Sequence, residues 1–285
     1  MLNQNQNSSK FNSHQFKKSL GQNFISDKNL LQAIAQDAEI NKKDYCVEVG
    51  AGAGTLTEIL AENAFKVISF EVDESLKDTL SSVQSQHDNL KVVFKDILKV
   101  EKEELQSLYN TESSSLPKLK VIANIPYYIT TPIIFKFLDW CDIIDGITIM
   151  VQKEVGERIT AQVGDADYGS LSAVIGHFGC ANLKRIVKKQ NFYPMPKVDS
   201  CIVQIKINKN LDIQFSKKYC QVVQKCFISR RKTIVNNLML GYNLKRADVE
   251  NYLNEINISN LARAEELNVE KFEHLTQKLI DESII

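Results

Sequence analysis

Short apolar runs alternate with amphipathic stretches along the first two thirds of this 285-residue chain. Tyr45–Val49, Val67–Phe70, Leu90–Phe94, Val121–Ala123 and Gly146–Val151 each read as a buried strand, being brief, rich in Val, Ile and Phe, and bounded by turn-forming residues. Between the first two, Thr55–Asn63 has helical spacing. Ahead of them, Leu30, Leu31, Ile34, Ala35 and Ala38 form the apolar stripe of a helix that Ser26 or Asp27 can cap. Two more strands fall within 182–207, flanking the loop Asn191–Asp199. From Leu211 onward the pattern is helical, with Gly241 as its interior break. This alternation followed by helices predicts an α/β fold with a second, all-helical part. The expected organisation is a disordered tail at 1–16, an α/β domain at 17–208 and a helical domain at 209–285. Ser107–Lys118, polar and carrying Pro117 near its end, reads as a surface loop.

The stretch that organises the α/β part is Tyr45–Thr55, a strand feeding Gly50, Gly52 and Gly54 and then a helix start. Such a turn lets backbone N–H groups approach a nucleotide-like ligand. A dinucleotide turn with its Gly-x-Gly-x-x-Gly spacing needs a glycine at position 55, where the chain has Thr55. The pattern is instead Glu48-x-Gly50-x-Gly52-x-Gly54. An acid just before the turn repels a pyrophosphate but suits a ligand carrying an ammonium and a sulfonium, which is the description of S-adenosylmethionine.

Three later strand ends extend that reading. Glu71, 21 positions after Gly50, stands where an acid accepts hydrogen bonds from both ribose hydroxyls. Asp96 follows the third strand and either receives the adenine amino group or caps its own turn. After the fourth strand comes Asn124-Ile125-Pro126-Tyr127, in which Pro126 forces an extended turn and presents Tyr127 beyond the strand end. These are the groups that methylation of an exocyclic amine requires. The amine's lone pair is delocalised into its ring, so a carboxamide oxygen and a backbone carbonyl must take both N–H hydrogens while an aromatic face fixes the plane of the base.

Charge changes the picture of the partner. The formal net charge of zero hides a sorted chain: residues 182–246 hold 15 Lys and Arg against only Asp199 and Asp212, whereas 21–181 hold 14 basic and 24 acidic residues. A block that basic, with Phe192 and Tyr193 beside prolines inside it and Arg230-Arg231-Lys232 on a helix or its start, predicts a polyanion-binding surface, with nucleic acid as partner. The six cysteines show no Cys-x-x-Cys spacing and read as buried apolar residues in a reducing compartment, with no metal. No apolar run reaches membrane-spanning length, and Met1–Lys10 has no hydrophobic signal core, so a cytoplasmic location is expected.

Taken together, Lys18-Ser19-Leu20-Gly21-Gln22-Asn23-Phe24, Glu48-Val49-Gly50-Ala51-Gly52, Asn124-Ile125-Pro126-Tyr127, Phe192 through Ser200, Arg230-Arg231-Lys232-Thr233 and Arg263-Ala264-Glu265 resemble the ribosomal RNA adenine dimethyltransferases. The likeness covers nearly the whole chain after residue 16. It implies a Rossmann-like class I methyltransferase fold, mostly parallel and seven-stranded with an antiparallel last strand, plus a small helical C-terminal domain. It further implies a monomer that dimethylates two adjacent adenosines in the hairpin near the 3′ end of small-subunit rRNA, acting on a small-subunit precursor. Carried over by position, Asn23 and Ile25 line the S-adenosylmethionine pocket, Gly50 lies under its methionine part, Glu71 holds the ribose and Asp96 meets the adenine. Asn124 then bridges cofactor and target amine, Pro126 shapes the turn, and Tyr127 and Phe192 sandwich the target base. Tyr128 stands where the family often has Asn, and Ile125 where Leu is commoner.

Three other readings compete. An adenine-specific DNA methyltransferase usually has two prolines in its catalytic turn, and Ile125 replaces the first. A large-subunit rRNA dimethyltransferase of the macrolide-resistance type performs the same reaction on another RNA. A ribosome-assembly factor that binds precursor rRNA without needing its methylation belongs to a different class.

Overall fold

The computed structural model describes Phe24, Ile25 and residues 27–109 and 117–285. The expected tail, the basic segment with Asn23, Ser26 and the middle of the 107–118 connection lie outside the described residues. The chain divides into two compact units: one runs through Lys153 and adds Lys184–Gln204, the other joins Glu154–Leu183 to Ile205–Ile285.

The first unit opens with β1 (Phe24–Ile25) and α1 (Lys28–Asp37). Asp27 is the cap that the sequence offered, its Oδ1 accepting from Asn29 N at 2.9 Å. Leu31, Ile34 and Ala35 are the buried stripe of α1, as their spacing predicts. Next come β2 (Tyr45–Val49), α2 (Thr55–Asn63), β3 (Lys66–Glu71), α3 (Lys77–Gln84), β4 (Leu90–Phe94) and α4 (Lys102–Leu108). β5 (Leu119–Asn124), α5 (Thr130–Asp139) and β6 (Ile144–Gln152) follow, both strands longer than the apolar runs alone indicate.

Strands β2 to β6 pair in parallel in the order β4-β3-β2-β5-β6. Helices connect them, so the central strands are covered on both faces and read as continuous apolar runs. Val47, Cys46, Ile68 and Val121 are accordingly buried. α6 (Lys153–Thr160), α7 (Ser170–Phe178), β7 (Gly179–Val187), β8 (Phe192–Tyr193) and β9 (Ser200–Ile207) come next in the chain. The sheet has seven strands, β9 and then β7 following β6. β8 leaves it and pairs antiparallel with β1, Ile25 opposite Phe192.

The second unit is helical beyond its strand ends, with α8 (Ile213–Cys226), α9 (Ile234–Tyr242), α10 (Arg246–Glu255) and α11 (Val269–Asp281). Buried tyrosines tie it together: Tyr219 donates to Ala173 O and Tyr168 to Leu267 O, both at 2.9 Å. Arg230, Arg231 and Lys232 are exposed and sit in the turn just before α9, not on a helix. Asn237 fixes that turn, donating to Cys226 O at 2.7 Å and Ser229 O at 3.1 Å while accepting from Ser229 N.

Candidate active site

Parallel strands bring their carboxyl ends to one edge of a sheet, and register decides which residues meet there. Val49 is opposite Phe70 on one side and Ala123 on the other, and Glu71 is opposite Phe94. Gly50, Glu71, Asp96 and Asn124, widely spaced in sequence, therefore finish or follow four neighbouring strands. All four line one cleft of roughly 1050 Å³, open mouth included, together with Ile25, Pro126, Tyr127 and Phe192. Of the site residues expected from the sequence, only Asn23 lies outside the described residues.

The glycine turn is bound to the sheet by Gly50 N and Ala51 N, which donate to Phe70 O at 2.8 and 3.2 Å. Gly50 has φ +84°, and a Cβ there would lie 3.0 Å from the Asn124 carbonyl oxygen and 3.4 Å from Ile125 Cγ2. A side chain is thus excluded by both backbone conformation and space. Gly54 has φ +81°, and its Cβ would meet Val83 Cγ2 at 2.9 Å.

The carboxylates differ in what they already hold. Glu71 accepts from Gly52 N at 2.8 Å through one oxygen, and from Val72 N at 2.8 Å and Asp73 N at 2.9 Å through the other. That set fixes the carboxylate beside the glycine turn and leaves part of its acceptor capacity for a hydroxyl, because a carboxylate offers about four lone-pair sites. Asp96 caps its own turn and stands at the cleft. One oxygen caps the turn Ile97–Lys99, accepting from Leu98 N at 3.0 Å, and the residue also lines the cleft.

Glu48 corrects the sequence reading. Instead of facing a ligand it is fully buried behind the turn, where its Oε2 accepts from Thr57 Oγ1 at 2.7 Å and Ser69 Oγ at 2.5 Å. Its Oε1 is buried with no partner. Burial pushes its carboxyl up to about 7, against the pull of Ser69 and Thr57 and with a small further push from Glu71. Strand alternation explains the difference: Glu48 points into the layer between β2 and α2, while the residues after Val49 turn toward the cleft.

Asn124 ends β5 half-buried, and its carboxamide has no hydrogen-bond partner among the described residues. Pro126, at φ −55° and ψ 137°, is the extended step before the turn Tyr127–Ile129, which is closed by Ile129 N donating to Pro126 O at 3.2 Å. The Tyr127 hydroxyl lies 2.7 Å from Ser200 Oγ, so the ring is held at its far end. Burial raises its phenol, partly offset by that hydrogen bond. Ser200 is fully buried, and nothing in its local sequence announces the contact, since 73 positions separate the partners. Phe192 is 5% exposed and takes its place through the pairing of β8 with β1. Past it, Asp199 folds the loop back, accepting from Lys189 N at 3.0 Å and Lys188 Nζ at 2.9 Å, and those bonds hold its carboxyl low.

Among the described residues no cluster of His, Cys, Asp or Glu is placed to hold a metal ion. No helix among them is long and apolar enough to cross a membrane.

Comparison with known proteins converges on one family. The profile of ribosomal RNA adenine dimethylase matches residues 13–281. The chain is 37% identical over 266 residues to "Ribosomal RNA small subunit methyltransferase A" of Clostridium acetobutylicum, covering 93% of this chain and 94% of that protein. It is 39% identical over 269 residues to the protein of the same name from Pediococcus pentosaceus, covering 92% and 89%. Among solved structures, a dimethyladenosine transferase from Plasmodium falciparum superposes with a TM-score of 0.72 at 24% identity, over 91% of this chain and 98% of that one, and shares the fold. The 23S rRNA methyltransferase ErmE superposes with a TM-score of 0.65 at 27% identity, over 90% of this chain and all of that one.

Proposed function

The chain belongs to the ribosomal RNA adenine dimethylase family, and from that premise we propose that it dimethylates N6 of two adjacent adenosines in the 3′-terminal hairpin of small-subunit rRNA, using S-adenosylmethionine. The observation that carries this reading is the uncommitted carboxamide of Asn124, set in the same cleft as Gly50, Glu71, Asp96, Tyr127 and Phe192. Branch assignment rests on the relatives at 37–39% identity, named for the small subunit. The likeness to ErmE keeps a large-subunit RNA as the second reading.

The cleft fits S-adenosylmethionine by its donor set. Gly50, where no Cβ has room, offers the close approach that the methionine part needs. The remaining acceptor site of Glu71 takes a ribose hydroxyl proton, and the Asp96 oxygen not used by Leu98 takes an adenine N–H. Ile25 closes the pocket wall, and Asn23 is proposed to contribute from the segment before it. When bound, the cofactor supplies an electrophilic methyl on sulfur. Asn124 Oδ1 accepts one N–H of the target amine, and a backbone carbonyl of the same turn accepts the other. The nitrogen lone pair is thereby drawn out of conjugation and aimed along one direction. Tyr127 and Phe192 grip the unstacked base by its faces. The proton lost by the amine passes to solvent, so no residue has to act as a strong base.

The basic stretch 182–246, including Arg230, Arg231 and Lys232, supplies the electrostatic attraction for rRNA, and residues 209–285 form the RNA-binding domain of a cytoplasmic monomer that acts during small-subunit biogenesis. The test is methyl transfer from labelled S-adenosylmethionine to small-subunit particles lacking the modification, beside naked large-subunit rRNA, with the nucleosides identified by mass spectrometry. Dimethyladenosine in the small-subunit sample alone is the expected result. Label in large-subunit RNA moves the chain to the resistance-type branch. Label in neither, with cofactor still bound, makes it an assembly factor.

A further inference from the structure

The cleft has an aromatic residue that the reaction as described does not use. Tyr128 lines it, yet its side chain is 69% exposed, more than any other aromatic residue among those described. Its ring and hydroxyl have no hydrogen-bond or aromatic partner among the described residues, so packing within this unit does not account for it. The position is nevertheless firmly held. Pro126 and Ile129 close the turn around it, Thr130 behind it is buried, and Tyr127 before it is fastened to Ser200. The same inner and outer arrangement recurs at Phe192 and Tyr193, the first 5% and the second 60% exposed.

Drawing one base out of a strand strips its neighbour of a stacking partner, and the cost of unstacking falls on the enzyme. An aromatic face at the mouth of the cleft replaces the lost stack. We propose that Tyr128 is a positioning residue for the RNA: the unpaired base adjacent to the target adenosine stacks on its ring, which fixes the strand as the target enters the cleft. This rests on the rRNA-methylating reading above and adds a contact outside the cofactor and target-base subsites.

The experiment uses the full chain, with Tyr128→Ala, Tyr128→Phe and wild type compared on the same acceptor particles. Tyr128→Ala should raise KM for the acceptor about tenfold, in line with the loss of one base-on-aromatic stack. Its kcat at saturating acceptor and its S-adenosylmethionine affinity by calorimetry should stay within about threefold, since the proposed contact of this exposed ring at the cleft mouth is with the neighbouring base and not with the cofactor or the target amine. Tyr128→Phe, which keeps the face and drops the hydroxyl, should behave as wild type. Acceptor RNAs carrying 2-aminopurine on the 5′ or the 3′ side of the methylated adenosine supply a direct readout. Fluorescence should be quenched on binding wild type and Tyr128→Phe in one of the two placements, and not on binding Tyr128→Ala. An unchanged KM, a matching loss of cofactor affinity, a defect in Tyr128→Phe, or quenching in neither placement would each overturn the proposal. A wild-type chain that transfers no methyl to RNA refutes the underlying function instead.

Discussion

Two polar groupings in this molecule look equally chemical from a distance, and only one is placed to do chemistry. In the helical unit, His177 Nδ1 lies 2.7 Å from Glu273 Oε1 and its Nε2 lies 2.9 Å from Ser216 Oγ, the acid-imidazole-hydroxyl order of a nucleophilic triad. In the α/β unit, Asn124, Asp96 and Tyr127 show no such chain of contacts. Yet Ser216 is 2% exposed, its hydroxyl donates to Asp212 O at 2.7 Å, and the imidazole stacks on Tyr219 with ring centroids 4.2 Å apart. Both imidazole nitrogens and the Ser216 hydroxyl are used up inside the fold, where the network fastens α7, α8 and α11. The cleft is the reverse case: Asn124 has a carboxamide without a partner among the described residues, next to open space lined by an anchored aromatic ring. Unspent hydrogen-bonding capacity beside a cavity is the ground for proposing the reactive site there, a ground that a series of short distances does not supply.

The largest effect should come from removing that capacity. Asn124→Ala is expected to lower the methyl-transfer rate in single-turnover assays by about 100- to 1000-fold, the usual loss for one preorganised hydrogen-bonding group at a reacting centre. Cofactor affinity by calorimetry should fall by less than about tenfold, the scale of losing one hydrogen bond of the several proposed for the cofactor. A rate within a factor of about three of wild type would move the chemistry away from this turn.

The same contrast explains what could be read from the chain. Gly50, Glu71, Asp96 and Asn124 were legible because each follows an apolar strand, and successive strand ends in an α/β fold converge whatever the loops between them do. The helix Thr55–Asn63 and the strand Leu90–Phe94 fall where the periodicity puts them. Ser200 was not legible as the anchor of Tyr127, because the contact joins the turn after β5 to the start of β9, 73 positions away. Residues 154–183 give no sign in the sequence of what they pack on. Their grouping with the C-terminal helices depends on single long-range bonds such as Tyr168 to Leu267 and Tyr219 to Ala173. Arg230 to Lys232 read as lying on a helix or its start, and Asn237, satisfying Cys226 and Ser229 carbonyls, is what holds them in a turn.

Glu48, within β2 of the α/β unit, sharpens the comparison. It is as buried as His177, but its network is incomplete, with Thr57 and Ser69 on one oxygen and no partner on the other. Its carboxyl is raised to about 7 from an ordinary value of 4.5, chiefly by burial. The folded chain therefore binds the Glu48 proton more tightly than the unfolded chain. Between those two values the unfolded state holds fewer protons, so stability falls as pH rises through this window and levels off above it. The contribution is on the order of 3 kcal/mol, at about 1.4 kcal/mol for each pH unit of displacement. Glu48→Gln keeps an acceptor for both hydroxyls and cannot ionise. Urea unfolding at pH 5, 6, 7 and 8 should show wild type losing stability relative to this variant by about 2–3 kcal/mol across the series. Parallel curves would mean that Glu48 is hydrated or paired in solution, and its place behind the glycine turn would need another explanation.

Ser216→Ala tests the closed network with the smallest expected change. The Asp212 carbonyl keeps its helical bond from Ser216 N at 2.9 Å, so deleting the hydroxyl removes one redundant donor there and one contact at His177 Nε2. A cost of about 1 kcal/mol follows from the loss of a single neutral hydrogen bond. Methyl transfer per folded molecule should be unchanged, because nothing about this hydroxyl reaches solvent or the cleft. If the folded variant instead lost more than tenfold in rate, short distances would have marked function after all, and Ser216, His177 and Glu273 would have to be counted with the reactive groups.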